Sequence, residues 1–250
     1  MKIIISPART MKSDLDSLPY SGLPKYLAQS KEILSWLRTR NYEQLHQLWW
    51  NCSERLTKIN YQRIKKMDHT TNLTPAILAF QGLQYQYIGA GVMTDQQLKY
   101  LQEHLRILSG FYGILRPFDG ITLYRLGMGD KATVNNTKSL YEFWGDRLYQ
   151  DLFTNNHLVV NLASNEYSKI IRPFLKSNDK MITCIFGEMV DGKIKQKATL
   201  AKIARGNMVR FLTEIGAKKV TDLKKFSTGG YRFRADLSTE KTFYFELVKS

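Results

Sequence analysis

The chain of 250 residues carries 37 lysines and arginines against 22 aspartates and glutamates, a formal net charge of +15. That length buries a substantial core without a disulfide or structural metal, and the two isolated cysteines, Cys52 and Cys184, make no CxxC or Cys/His set. No apolar run approaches the ~20 residues of a membrane helix and the apolar part of MKIIISPART is too short for a secretory signal, so a cytoplasmic protein without a membrane partner is expected.

Met1 to Ile5 reads as a short buried strand broken by Ser6-Pro7. Ser6, Arg9, Thr10 and Lys12 follow at its carboxyl end, where open α/β sheets hold ligands, and they are candidate anion contacts; an ordinary strand exit is the plain alternative. Apolar spacing predicts helices over 23–40, 42–50 and 53–67. Trp49-Trp50 suits base stacking or core packing, and the basic residues of the third helix read as a solvated face. The alternating Tyr85 and Tyr87 predict a strand or hairpin within 74–90.

Thr94 and Gln97 are in capping-box register, and Leu98, Leu101, Leu105 and Leu108 recur at helical spacing, predicting a helix up to Ser109-Gly110. Gly110 suits a left-handed helix closure, Gly113 a close backbone approach, and Pro117 limits any further helix. A glycine hairpin with free N–H groups, flanked by Arg106, Arg116 and Arg125, suits a nucleic-acid phosphate and resembles a helix-hairpin-helix element. Its glycines are spaced one residue wider than usual, and a helix cap followed by a simple turn is the alternative.

Beyond it, 121–126 predicts a strand, 138–153 a helix with Gly145 inside it, and 157–163 a buried strand. That strand runs into Ser164-Asn165-Glu166-Tyr167, a predicted helix start continuing to Phe174. Asn161, Ser164, Asn165 and Glu166 are placed to orient a substrate, with Glu166 the best general-base candidate; an acidic first helical turn explains it equally. Residues 180–196 read as a hairpin turning at Asp191-Gly192. Residues 199–215 form an amphipathic helix projecting Lys202, Arg205 and Arg210, with Gly206 admitting either a phosphate backbone or a crossing helix. A short helix over 221–226 and paired strands at 231–233 and 242–248 close the chain. From Lys193 to Ser250 there are 14 basic residues against 5 acidic ones, a field that favours polyanions, chiefly nucleic acid or anionic lipid. A generally basic, solvated surface is the alternative. With no repeats or linkers, the reading is one mixed α/β domain over 1–250.

Five blocks in order, ISPARTM, HLRILSGFYGILRPFDGITLYRLGMG, SLYEFWGDRL, NLASNEYSKII and LAKIARGNMVRF, resemble the YaaA family of peroxide stress proteins. The resemblance implies an α/β (mixed sheet with surrounding helices) domain of unusual topology with a basic cleft and a helix-hairpin-helix-like element. It also implies DNA binding, to double-stranded or distorted DNA, and a role in limiting peroxide damage by keeping free iron low. Matched positions are Ser6, Pro7, Thr10, Ser109, Gly110, Tyr112, Gly113, Arg116, Pro117, Tyr124, Arg125, Gly129, Tyr141, Trp144, Gly145, Asn161, Ala163, Ser164, Glu166, Tyr167, Lys202, Ala204, Arg205 and Gly206. Arg9 replaces the family's usual lysine, which keeps charge but removes an amine nucleophile.

The leading expectation is a DNA-binding protein that holds phosphates with little sequence preference. Its contacts would be Ser6, Arg9, Thr10, Lys12, Arg106, Ser109, Gly110, Tyr112, Gly113, Arg116, Arg125, Lys202, Arg205 and Arg210. The alternative is an enzyme acting on a nucleobase or nucleotide, repair glycosylase-like, with Glu166, Asn165 or Asp130 in the chemistry. Direct iron binding ranks below both, since His46, His69, His104 and His157 are dispersed. No cofactor, metal-ligand set or Walker loop is read.

Overall fold

The computed structural model describes residues 1–248. Its sheet is built from β1 (Lys2–Ile5), β2 (Leu105–Ser109), β3 (Gly113–Leu115), β4 (Leu158–Leu162), β5 (Lys180–Val190), β6 (Lys193–Lys195), β7 (Tyr231–Arg234) and β8 (Thr242–Leu247). The order is β7-β8-β5-β4-β1-β2-β3, with β6 paired to β5. From β8 to β2 every pairing is parallel, and the antiparallel pairings lie at β7, β6 and β3. KIII is central because a parallel strand covered on both faces needs an unbroken apolar run, and Ile3, Ile4 and Ile5 are fully buried.

Helices surround this sheet: α1 (Leu27–Arg38), α2 (Tyr42–Leu48), α3 (Glu54–Lys66), α4 (Leu83–Ile88), α5 (Asp95–His104), α6 (Leu140–Trp144), α7 (Arg147–Phe153), α8 (Asn165–Ser168) and α9 (Ala198–Glu214). The Thr94 capping box forms, Thr94 Oγ1 accepting the Gln97 N–H at 3.4 Å and Gln97 Oε1 accepting the Thr94 N–H at 2.9 Å. The 180–196 hairpin turns at Asp191 (φ 52°) and Gly192 (φ 74°), both left-handed as a two-residue hairpin turn requires.

Several expectations change. The helix beginning after Thr94 ends at His104, and Leu105–Ser109 is instead β2, paired with β1 through Ile3 and Leu105, Ile4 and Arg106, and Ile5 and Ile107. Leu101, Leu105 and Leu108 do recur at helical spacing, but LRILS is also a short apolar run, and burial beside β1 decides for the strand. The helix-hairpin-helix-like element is therefore a β-hairpin, β2 to β3. Gly110 is not left-handed; Gly113 is, at φ 73°. Residues 74–90 are mostly helical, Ala76–Ala79 and α4, so Tyr85 and Tyr87 lie on a helix.

Of the expected 121–126 strand only Ile121 is paired, as part of Gly120–Ile121 against Thr74–Pro75. Gly145, at φ 54°, splits the 138–153 helix into α6 and α7, and α8 stops at Ser168 before a 3-10 turn at Arg172–Phe174. Gly206 is a helix crossing: a Cβ there would lie 2.4 Å from the Gln84 carbonyl oxygen and 2.8 Å from Tyr87 Cβ, so α9 and α4 meet backbone to backbone and no phosphate enters.

Candidate functional site

β1 has β4 on one side and β2 on the other, and all three run parallel. From β1 the chain proceeds to β2, whereas β4 lies on the opposite side and leads on to β5. The loops after β1 and β4 consequently part, leaving a crevice at their carboxyl ends, where open α/β sheets hold ligands.

Both rims of that crevice are tied together. Ser6 Oγ accepts the Ser164 N–H at 2.8 Å and lies 3.2 Å from Ser164 Oγ. The Tyr85 hydroxyl donates to the Ser6 carbonyl at 2.9 Å, and burial pushes that phenol well above its ordinary pKa. Asn161 is buried in this scaffold, its Oδ1 accepting the Ala163 N–H at 3.0 Å and its Nδ2 donating to Thr183 Oγ1 at 3.2 Å. Both polar ends of its side chain are thus bonded within the protein.

The cleft has two lobes that share Pro7, Ala8, Arg9 and Tyr167. An inner lobe of about 650 Å³ is lined by Thr10, Gln84, Ser164, Glu166, Lys202 and Arg205. An outer lobe is lined by Trp49, Trp50, Arg125, Gly127 and Asp130. Trp49 is core, while Trp50 is 63% exposed. Among the described residues, no carboxylate lies within 4.0 Å of the charged nitrogens of Arg9, Arg125, Lys202 or Arg205. Burial lowers the Arg205 pKa, and its Nε is enclosed without a hydrogen-bond partner.

Two carboxylates reach the same place. Glu166 Oε1 accepts the Gly129 N–H at 3.1 Å, and Asp130 Oδ2 accepts the Gly127 N–H at 2.7 Å. A Cβ on Gly127 would sit 3.2 Å from Glu166 Oε1 and 3.3 Å from Asp130 Oδ1, a close fit that the bare glycine relieves. Burial, with the Glu166 charge, raises the Asp130 pKa against the opposing pull of the Gly127 N–H, Arg9 and Arg125. Asn165 stands outside the cleft, exposed and accepting from Arg172 Nη1 at 2.9 Å.

The other expected contacts separate from this cleft. Ser109 Oγ accepts the buried Phe111 and Tyr112 N–H groups at 3.1 and 2.8 Å and lies 2.7 Å from the Tyr124 hydroxyl. Ser109, Gly110, Tyr112 and Gly113 are all buried, so the hairpin amides expected to face a phosphate are enclosed and those of Phe111 and Tyr112 already bonded. Gly110 instead admits the Leu126 and Gly127 backbone, which a Cβ would approach to 2.9 and 2.8 Å.

Arg106 and Arg116 line a different cavity with Lys25, Asp119 and Asp151, which has no lining residue in common with the cleft. Lys12 lies 3.7 Å from Asp14, and Arg210 pairs with Glu214 at 2.8 Å. The histidines also stay apart: His46 meets Thr57, His104 the Met1 carbonyl and His157 Asp179, while His69 is buried against Phe111. Among the described residues no His, Cys, Asp or Glu group is placed to hold a metal ion, and no helix is long and apolar enough to cross a membrane.

Gln84 was not foreseen. It is 7% exposed, it lines the inner lobe, and its Nε2 is buried without a partner. The available signal was Gly82 between two glutamines, a helix entry that the tyrosine alternation obscured.

The model of the family described as peroxide stress protein YaaA matches residues 1–237. A UPF0246 protein of Limosilactobacillus reuteri is 60% identical over the whole of both chains. Another, of Pediococcus pentosaceus, is 52% identical over 98% of this chain and 97% of its own, and one of Ligilactobacillus salivarius 46% over 98% and 99%. With the family model spanning nearly the whole chain and relatives this similar end to end, the protein belongs to the YaaA family of peroxide stress proteins.

Proposed function

We propose that this protein serves the peroxide stress response by binding DNA through its phosphates at the crevice beyond β1 and β4. The observation that carries this reading is the convergence of Arg9, Arg125, Lys202 and Arg205, from three separate stretches of chain, on one cleft without carboxylate partners among the described residues. Unpaired cations held together by a fold repel one another, and an anion between them relieves that repulsion. Arginine suits phosphate because its planar fork donates two parallel hydrogen bonds.

The footprint is smaller than the sequence reading made it: Ser109, Gly110, Tyr112 and Gly113 are enclosed, Arg106 and Arg116 belong elsewhere, and Lys12 and Arg210 have acidic partners. Backbone contacts of this kind carry no base code, so sequence preference is weak. The test is duplex binding as a function of salt. Four neutralised phosphates correspond to a log–log slope of about −3.6, and a flat response would contradict the reading.

A second reading is supported by the Glu166 and Asp130 carboxylates on either side of Gly127, one of them with a raised pKa. A carboxyl group that burial makes hold its proton more tightly in a cleft suits acid–base work on a nucleotide. Both also brace the 127–130 turn, so their replacement needs a folding control. Loss of nucleotide turnover in Glu166→Gln, with DNA affinity and melting temperature retained, would favour the enzymatic reading.

A further inference from the structure

We propose that the cleft takes one unpaired nucleotide, free or extruded from a strand, with the base in the inner lobe and its phosphate among the cations; this rests on the nucleic-acid reading above. Size is the first ground. An inner lobe of about 650 Å³ falls within the roughly 300–1,000 Å³ of sites that enclose a small molecule, whereas a paired duplex offers only its backbone to such a mouth.

Chemistry is the second ground. Gln84 is 7% exposed, with a carboxamide Nε2 that no described residue satisfies, and Arg205 Nε is enclosed in the same way. Buried donors are nearly always bonded, so two orphans lining one cavity mark places where a ligand supplies acceptors. A carboxamide pairs with the hydrogen-bonding edge of a base, and a guanidinium with phosphate or a carbonyl oxygen. The two roles divide as the residues do, with Gln84 at the α4 wall and Arg9 where the lobes join.

Placement of the aromatic residue is the third ground. Trp50, 63% exposed, lies in the outer lobe beside Arg9 and Arg125. Next to those cations the indole is a stacking platform for the base that adjoins the one enclosed in the inner lobe, the pairing of aromatic ring and cation that single-stranded nucleic-acid sites employ. An unpaired nucleotide already lacks its pairing partner, so entering the cleft costs it least.

The experiment compares a fluorescently labelled fully paired duplex with the same duplex carrying one bulged nucleotide, using the full chain at fixed salt. A nucleoside monophosphate serves as competitor. The bulged duplex is expected to bind about tenfold more tightly, within the range one stacked base contributes, and the mononucleotide should displace it selectively. Trp50→Ala, at an exposed site that the fold does not need, and Gln84→Leu should each bring the ratio of affinities toward one.

A wild-type ratio within twofold, with salt-dependent binding intact, would overturn this inference and leave the phosphate reading standing. A ratio unchanged in both variants would overturn it too. Binding of the mononucleotide without salt-dependent binding of either duplex would support the pocket and end the DNA reading.

Discussion

Ser109 shows how a residue with a phosphate-binding appearance serves the interior. Its hydroxyl meets two backbone N–H groups and the Tyr124 hydroxyl in a fully buried position. Ser109→Ala leaves those groups without partners, and the expected loss of stability is at least about 2 kcal/mol, since each unsatisfied buried group costs about 1–3 kcal/mol. Urea denaturation measures it; a loss below about 0.5 kcal/mol would mean the three groups find other partners.

Asp119 is the residue to follow with pH. Its Oδ2 accepts the Arg116 N–H at 2.8 Å, yet burial pushes its pKa up to about 6, outweighing that bond and the Arg116 and Arg106 charges, while Asp151 raises it further. A folded pKa above the unfolded value of about 3.9 means that the folded state holds the proton more tightly. This contribution to stability is complete below about pH 4 and is lost as the pH rises through about 6. Asp119→Asn keeps an acceptor for Arg116 and removes the titration. Unfolding free energies of the two proteins between about pH 4 and 7 should converge at low pH and separate as it rises, with the variant more stable; parallel curves would contradict the assignment.

At the scale of elements, the crossing of α9 and α4 fixes the inner wall of the cleft, because Lys202 and Arg205 ride on one helix and Gln84 on the other. Gly206→Ala puts a methyl group against the Gln84 carbonyl and forces the helices apart. The expected cost is about 1–3 kcal/mol, in the usual range for overpacking, read as a lowered melting temperature. An unchanged melting temperature would show that the crossing has slack.

The elements legible in the sequence are those whose pattern has one solution. KIII and HLVVNL are apolar runs too short for helices and bounded by breakers, 199–215 is long and periodic, and Asp191-Gly192 suits only a tight hairpin. The 105–115 stretch was not legible, because Leu101, Leu105 and Leu108 satisfy a helix while LRILS equally satisfies a buried strand, and pairing with β1, a hundred residues earlier, decides between them. That long-range pairing turned an expected phosphate loop into core. Of the site, the stretches following β1 and β4 were readable as polar groups at strand ends. Gln84 was not, since its importance comes from what α9 packs beside it.

At the scale of the whole molecule, two separate cavities gather basic side chains. Arg9, Arg125, Lys202 and Arg205 belong to the crevice, and Lys25, Arg106 and Arg116 to a cavity that also holds Asp119 and Asp151. Net charge alone would make these sets interchangeable to a polyanion, and each cavity also holds two carboxylates; they differ in that Asp151 pairs with Lys25 at 2.5 Å, whereas no described carboxylate lies within 4.0 Å of the charged nitrogens of the crevice set.

The salt dependence of duplex binding, compared between the double variants Arg9→Ala/Lys202→Ala and Arg106→Ala/Arg116→Ala, tests this division most directly, since each removes the same formal charge. The expected result is a slope shallower by about 1.8 in the first pair, two released contacts at about 0.9 each, and an unaltered slope in the second. Equal losses in both pairs would contradict a single binding crevice beyond β1 and β4.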